Sequence, residues 1–190
     1  MENQLTNQKN FLPGDYRLPD KSKQFMKLEV GDNLIRVLSN PLLGYVFFDE
    51  ECKPVRRPYA NGDFTKEELT EFKAKKNEKG EFEGSKHFWI LLVWDYRSNS
   101  PKILEVTQIS ILKPLFSYTQ DEDWGDLRKF NININKTGTT KNDTEYSVMP
   151  KPHRELEDEI KEVMTTLVEN DMIDLEAIWE GKYPFESYNF

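Results

Sequence analysis

The chain is poor in the residues that most often carry chemistry: one cysteine and two histidines in 190 residues. Cys52 alone forms no internal disulfide and fits a reducing compartment. A zinc site needs several Cys or His ligands, and Cys52, His87 and His153 do not supply a set. No apolar run approaches the ~18 residues of a membrane-spanning helix. The polar start, Met1-Glu-Asn-Gln-Leu-Thr-Asn-Gln8, lacks signal-peptide character, so a soluble intracellular protein is expected. No P-loop, GxSxG or HExxH pattern occurs. Asp121, Asp123 and Gly125 suggest a calcium loop, but Asp126 stands where glycine is needed and Ile132 where the bidentate acid belongs. The same three carboxylates, Asp121, Asp123 and Asp126, leave a magnesium-dependent nuclease open as a minor reading.

What is present is organised around residues 86–150. Lys86-His-Phe-Trp-Ile-Leu-Leu-Val-Trp-Asp-Tyr96 holds four aromatics and four aliphatics without a breaker. It reads as one strand of about 36 Å, suited to a curved barrel wall. Phe88, Ile90, Leu92, Trp94 and Tyr96 fall on one face; His87, Trp89, Leu91, Val93, Asp95 and Arg97 fall on the other. Neither face is cleanly polar, so one face is expected to line a core and the other to be covered by something other than ordinary solvent. Arg97-Ser-Asn-Ser-Pro101 supplies a turn, and Lys102-Ile-Leu-Glu-Val-Thr107 returns as a hairpin partner. Ile109, Leu112 and Leu115 or Phe116 then recur at helical spacing, with Thr107 as the expected N-cap. Pro114 predicts a kink or two short pieces. Phe130, Ile132 and Ile134 alternate with Asn131, Asn133 and Asn135 in a further strand. Thr144 to Met149 alternates likewise and Pro150 ends it. Upstream, Leu34-Ile-Arg-Val-Leu38 and Leu43 to Phe48 make two more strands, separated by Pro41.

Around this core the chain divides into an extended arm (1–24), in which Phe11, Leu12, Tyr16 and Leu18 are expected to pack on the domain, the core itself (25–152), and an acidic helical region and tail (153–190). Residues 49–84 read as a charged insertion between barrel strands. There Thr65-Lys-Glu-Glu68 has capping-box spacing before Leu69 and Phe72. Near the end, Leu156, Ile160, Val163 or Met164, and Leu167 mark an amphipathic helix. Asp174 is expected to cap a second one, which Gly181 ends. The net charge of −8 is unevenly spread: residues 155–190 hold 11 acids and 2 bases, the rest 23 acids and 24 bases. Screening confines each charge to a neighbourhood of about 8–10 Å, so a near-neutral core can still carry a basic groove.

Five ordered stretches resemble the phage single-stranded DNA-binding, or helix-destabilising, proteins with an OB-fold core. They are Phe88-Trp89 through Trp94-Asp95-Tyr96, Ile103-Leu-Glu-Val-Thr-Gln108, Asp121-Glu-Asp-Trp-Gly-Asp126, Tyr146-Ser-Val-Met-Pro150, and Asp174-Leu-Glu-Ala-Ile-Trp-Glu-Gly181 with Pro184-Phe185. Together they touch about half the chain. Pro114 departs from the family's short helix, and the zinc-binding insert of some relatives cannot be built here. The resemblance implies a mainly β fold with α appendages: a five- to six-stranded OB barrel with a charged insertion and C-terminal helices. It implies sequence-tolerant coating of single strands during phage replication or recombination, without catalysis or cofactor. The expected place of action is the cytoplasm of an infected or lysogenic bacterial host.

Single strands are held by cations tracking phosphates and by aromatic faces stacking on bases, at ~1–3 kcal/mol per stacked base. Residues 49–84 read either as a solvated charged surface with a short helix or as a mobile basic flap; in the second reading Lys53, Arg56, Arg57, Lys73, Lys76 and Lys86 are the candidate cations, with Arg97 at the far end of the long strand. Trp89, Trp94, Tyr96 and Tyr59 are candidate platforms, as are Tyr45 and Phe47, and each competes with a place in the core. Trp89 and Trp94 face opposite sides, so at most one is expected to stack. Arg56 and Arg57 beside Pro58-Tyr59 make a compact phosphate-plus-stacking arrangement. Trp179, Phe185 and the terminal Phe190 are candidate contacts for a polymerase, helicase or primase, or a means of competing with DNA for its groove. A protein-interaction module acting through its acidic helices is the alternative of a different class.

Overall fold

The computed structural model describes residues 21–140 and 142–185. The expected N-terminal arm, with Phe11, Leu12, Tyr16 and Leu18, lies almost wholly outside them, and so does Phe190. Seven strands form: β1 (Gly31–Val37), β2 (Leu42–Phe48), β3 (Pro54–Pro58), β4 (Lys86–Asp95), β5 (Ser100–Val106), β6 (Phe130–Thr137) and β7 (Glu145–His153). Three α-helices accompany them: α1 (Lys66–Glu71), α2 (Ile109–Gln120) and α3 (Asp158–Glu169). A final 3-10 turn spans Leu175–Glu180. The fold is mainly β.

β4 is the hub because it is long enough to serve three partners. β5 runs along one edge, from Trp89↔Val106 to Asp95↔Ser100. The other edge is divided: β2 takes Lys86 to Ile90, and β1 takes Val93 to Asp95. At the changeover the Leu92 amide donates to the Ser39 hydroxyl at 3.0 Å, and the Leu38 amide to the Leu92 carbonyl at 2.9 Å. The changeover therefore keeps its backbone groups satisfied. The strand order is β3-β2-β4-β1-β6-β7, all antiparallel, with β5 on the far edge of β4.

This corrects the expected closed barrel of five or six strands. The sheet is open, and β3, β5 and β7 each have one strand neighbour. The seventh strand, β3, comes from the stretch read as a flap; Pro54 and Pro58 bracket it, and Val55 is its one aliphatic residue.

Both faces of β4 are covered, as its composition predicts. Trp89, Leu91 and Val93 join Ile35, Val37, Leu104, Ile132 and Ile134 under Ile111, Leu112 and Leu115 of α2. On the opposite face Phe88, Ile90 and Leu92 pack with Val46 and Ile103 under Leu167, Ile178 and Phe185. Gly44 makes that second layer possible: a Cβ there would lie 2.4 Å from the Arg57 carbonyl oxygen and 3.0 Å from the Trp179 ring. A third, small cluster sets Phe47 against Leu69 and Ala74, with Val55, Phe64 and Phe82 around them. So the insertion packs on the sheet around its own core.

Local signals explain most boundaries. The capping box at Thr65 forms with Glu68, Asp174 accepts from the Glu176 amide, and Gly181 ends the last turn at φ 71°. Gln108, and not Thr107, holds the N-cap position of α2 without a side-chain capping bond, and α2 runs through Pro114 as one twelve-residue helix. The carbonyl that loses its donor belongs to Ser110, an exposed residue, and three buried side chains hold the helix down. No described helix is long and apolar enough to cross a membrane.

Candidate nucleic-acid interface

Of the expected cations, several are already engaged. Arg56 is nearly buried and pairs with Glu105 at 2.7 Å. Arg57 is held by both carboxylate oxygens of Glu68 and lies over the Phe64 ring, 4.2 Å from its centroid. The same contacts draw Glu68, which also accepts from the Thr65 amide, down to about 2. Lys53 pairs with Glu51 at 2.6 Å. Lys76 sits over the Phe82 ring. Lys73 is exposed, in the left-handed region at φ 51° just beyond α1, and Lys86 is exposed at the start of β4. Residues 49–84 hold eight basic and ten acidic side chains. The insertion is thus acidic overall, and it packs against the sheet around Phe47, Leu69 and Ala74.

The aromatic candidates divide by burial. Trp89 is 9 % exposed and Trp94 2 %, and Phe47 is as buried as Trp94. They are core residues, which overturns their assignment as stacking platforms: Trp89 lies in the first core cluster, Phe47 in the small third one, and Trp94 is buried on β4. Tyr59 is 55 % exposed and stacks on Tyr45, ring centroids 5.7 Å apart, with His87 edge-on to Tyr59. Those three rings gather where β3, β2 and β4 meet, next to Lys86. Tyr96 is half-buried; its hydroxyl bonds Asn131 Oδ1 at 3.2 Å and both Glu157 carboxylate oxygens. Burial, then Glu157, pushes its ionisation up. Arg97 is exposed and donates to the Asp32 carbonyl.

Two of the three C-terminal candidates lie among the described residues. Phe185 is 0 % exposed, and its backbone is clasped by the Gln24 side chain, which donates to the carbonyl at 2.8 Å and accepts from the amide at 3.2 Å. Its assignment as a partner contact is overturned: it closes the second core. Trp179 is half-buried with its ring 5.8 Å from that of Phe88.

The strongest positive site was not among the expected residues. Arg36, Arg128, Lys129, His153, Arg154 and Lys161 line a shallow cleft of about 520 Å³, with Glu155 at its rim. Four pieces of chain build it. Arg36 comes from β1, Arg128 and Lys129 from the 3-10 turn before β6, His153 and Arg154 from the end of β7, and Lys161 from α3. A register shift assembles them. Phe130 faces His153 and Ile132 faces Pro150, so β7 carries one extra residue opposite Asn131. The bulge turns the end of β7. His153 then lies parallel on Phe130 with centroids 5.4 Å apart, and the Arg154 amide bonds the Lys129 carbonyl. Trp124 packs edge-on against both rings. The stretch Asp121–Asp126 anchors this corner: Asp121 accepts from the Asp123 and Trp124 amides, and Asp126 caps the next turn.

The charges of the cleft are partly answered. Arg128 pairs with Asp126, Arg154 with Glu157 and Lys161 with Asp158, each at 2.8 Å. Lys129 and Arg36 have no acid in an ion pair among the described residues. Arg36 is 1 % exposed. It donates through Nη1 to Asn131 Oδ1 at 3.0 Å and through Nη2 to the Arg154 carbonyl. Its Nε has no hydrogen-bond partner. The one signal available to a sequence reading was a lone arginine inside Leu34-Ile-Arg-Val-Leu38.

No family model, curated protein or solved structure matches the chain, so a functional reading has to stand on these residues.

Proposed function

We propose that this protein binds single-stranded DNA without sequence preference, in the manner of the phage helix-destabilising proteins, on an OB-type core. The support is a cleft that gathers five Lys and Arg side chains in a chain of net charge −8, beside an exposed ring already stacked on a buried one. Phosphates need cations and bases need flat faces, and His153 on Phe130 beside Lys129 and Arg154 places the two together. The order strand, strand, helix, strand, strand from β4 to β7 also agrees with an OB-type core. Tyr59 on Tyr45, near Lys86, is a second exposed aromatic surface for a strand that continues past the cleft.

The test is a titration of the full chain with oligo-dT at several salt concentrations, with duplex DNA as control. Tryptophan fluorescence of a Trp179→Phe variant reports it, because Trp124 packs on His153 while Trp89 and Trp94 are buried and the remaining half-buried indole is removed. Quenching is expected to favour the single strand, and log K to fall linearly with log salt. Absence of binding at low salt defeats the proposal. The reading as a protein-interaction module that acts through its acidic C-terminal helices then gains ground.

A further inference from the structure

We infer that Arg36 is the floor of a phosphate site, in which its free Nε–H donates to a phosphate oxygen and Lys129 balances the charge from the rim. The inference stands on the geometry of the cleft; it rests on the single-strand reading only for the source of the phosphate.

Burying a guanidinium is costly unless its donors are used and its charge is met. Arg36 meets only part of that demand. Asn131 and the Arg154 carbonyl take one N–H from each terminal nitrogen, both acceptors are uncharged, and Nε is left without a partner. The carboxylate whose charge acts on Arg36, Glu157, is committed to Tyr96 and Arg154. A buried cation with an unused donor, in the wall of a cleft rimmed by more cations, is a place where an anion lowers the energy of the protein itself.

The chemistry of the anion follows from the donors. Arg36 offers a planar donor fixed at both ends, which suits an oxygen of a tetrahedral oxyanion. Lys129 adds a mobile point charge. Phosphate monoester and phosphodiester oxygens share this chemistry, so free phosphate and a strand backbone are both sources. No base-reading group is needed, which agrees with sequence tolerance.

The experiment follows the Nε–Hε resonances of the arginines by NMR in the full chain, at constant ionic strength held with sodium chloride. Inorganic phosphate is added in one series and oligo-dT in another. A saturable shift of the Arg36 resonance in both series, weakened about tenfold by Lys129→Gln, is the expected result. Arg36→Lys keeps the charge but loses the Nε donor, and it is expected to abolish saturable phosphate binding. Lys129→Gln touches no buried contact, so the test survives if Arg36→Lys fails to fold. A shift with phosphate but not with oligo-dT leaves the site standing, and the strand reading then depends on quenching elsewhere. An Arg36 resonance that ignores both ligands while oligo-dT still quenches Trp124 overturns the site and leaves single-strand binding intact.

Discussion

Asp126 decides how much of the cleft's positive charge is free. Its carboxylate accepts from Nε and Nη2 of Arg128 and from the Arg128 amide. The Arg128 guanidinium, more than any other group, draws its ionisation down to about 2 from an ordinary 3.8. Mild acid therefore does not release Arg128, but a substitution does. Asp126→Asn keeps an oxygen for the cap and removes the charge, so oligo-dT should bind roughly fivefold more tightly at low salt. The gain should fade as salt shortens the screening length. A folded variant with unchanged affinity would mean that Arg128 does not face the strand. The same shift predicts a stability effect of known sign. A depressed carboxyl contributes stability above its unfolded value near 3.8, and loses it as pH falls toward 2. Asp126→Asn should flatten that part of the urea-midpoint curve against pH. At this scale the sequence was least legible. Arg36, Lys129 and Arg154 are scattered along the chain and converge only through strand pairing and a bulge. The arginines that looked most like ligands, Arg56 and Arg57, had carboxylates waiting across the sheet and in α1.

At the scale of elements, the sequence spoke most clearly where pattern and packing agree. β4, β5 and β6 fall within a few residues of expectation, because their alternation matches two covered faces. β3 was missed because a short strand between prolines with all residues half-buried has no alternation to read. Those prolines have a use at the edge. β3 ends in Pro54 and Pro58, and β7 carries Pro150 and Pro152, so neither outer edge offers an unbroken row of donors to another chain. The outer edge of β5 is covered instead by the chain at Phe25 and Met26, whose amide bonds the Ile103 carbonyl at 2.8 Å. Pro114 in α2 has no such use. It removes one helical hydrogen bond from the middle of a helix that packing holds intact. Pro114→Ala should therefore raise stability by about 1–2 kcal/mol, the helix gain less the entropy returned to the unfolded chain. Urea unfolding monitored by circular dichroism measures it. A lower midpoint would show that contacts of the half-buried pyrrolidine ring outweigh the missing bond.

For the whole molecule, the acidic C-terminal region is a layer of the fold, and that changes how its charge must be tested. Charge alone suggests cutting the chain at residue 154 to remove a net −9. The structure makes this a poor experiment, because Leu167, Ile178 and Phe185 seal Phe88, Ile90 and Leu92. Uncovering three large apolar side chains costs about 1.5–3 kcal/mol each, and the burial contributed by the three deleted ones is lost as well. Such a loss is comparable with the 5–15 kcal/mol that holds a domain together. The truncated chain is expected to lose cooperative unfolding and to bind a hydrophobic dye. Neutralisation separates charge from packing. Glu155 rims the cleft, while Glu162 and Glu169 lie on the exposed side of α3 and have no ion-pair partner among the described residues. Glu155→Gln should tighten oligo-dT binding at low salt, and Glu169→Gln, at the far end of α3, should do so less. Both variants should converge with the parent as salt rises. Equal effects from the near and the distant acids would place the strand elsewhere on the surface. A truncated chain that still unfolds cooperatively at the parent's midpoint would return the region to the role of a detachable competitor for the DNA groove.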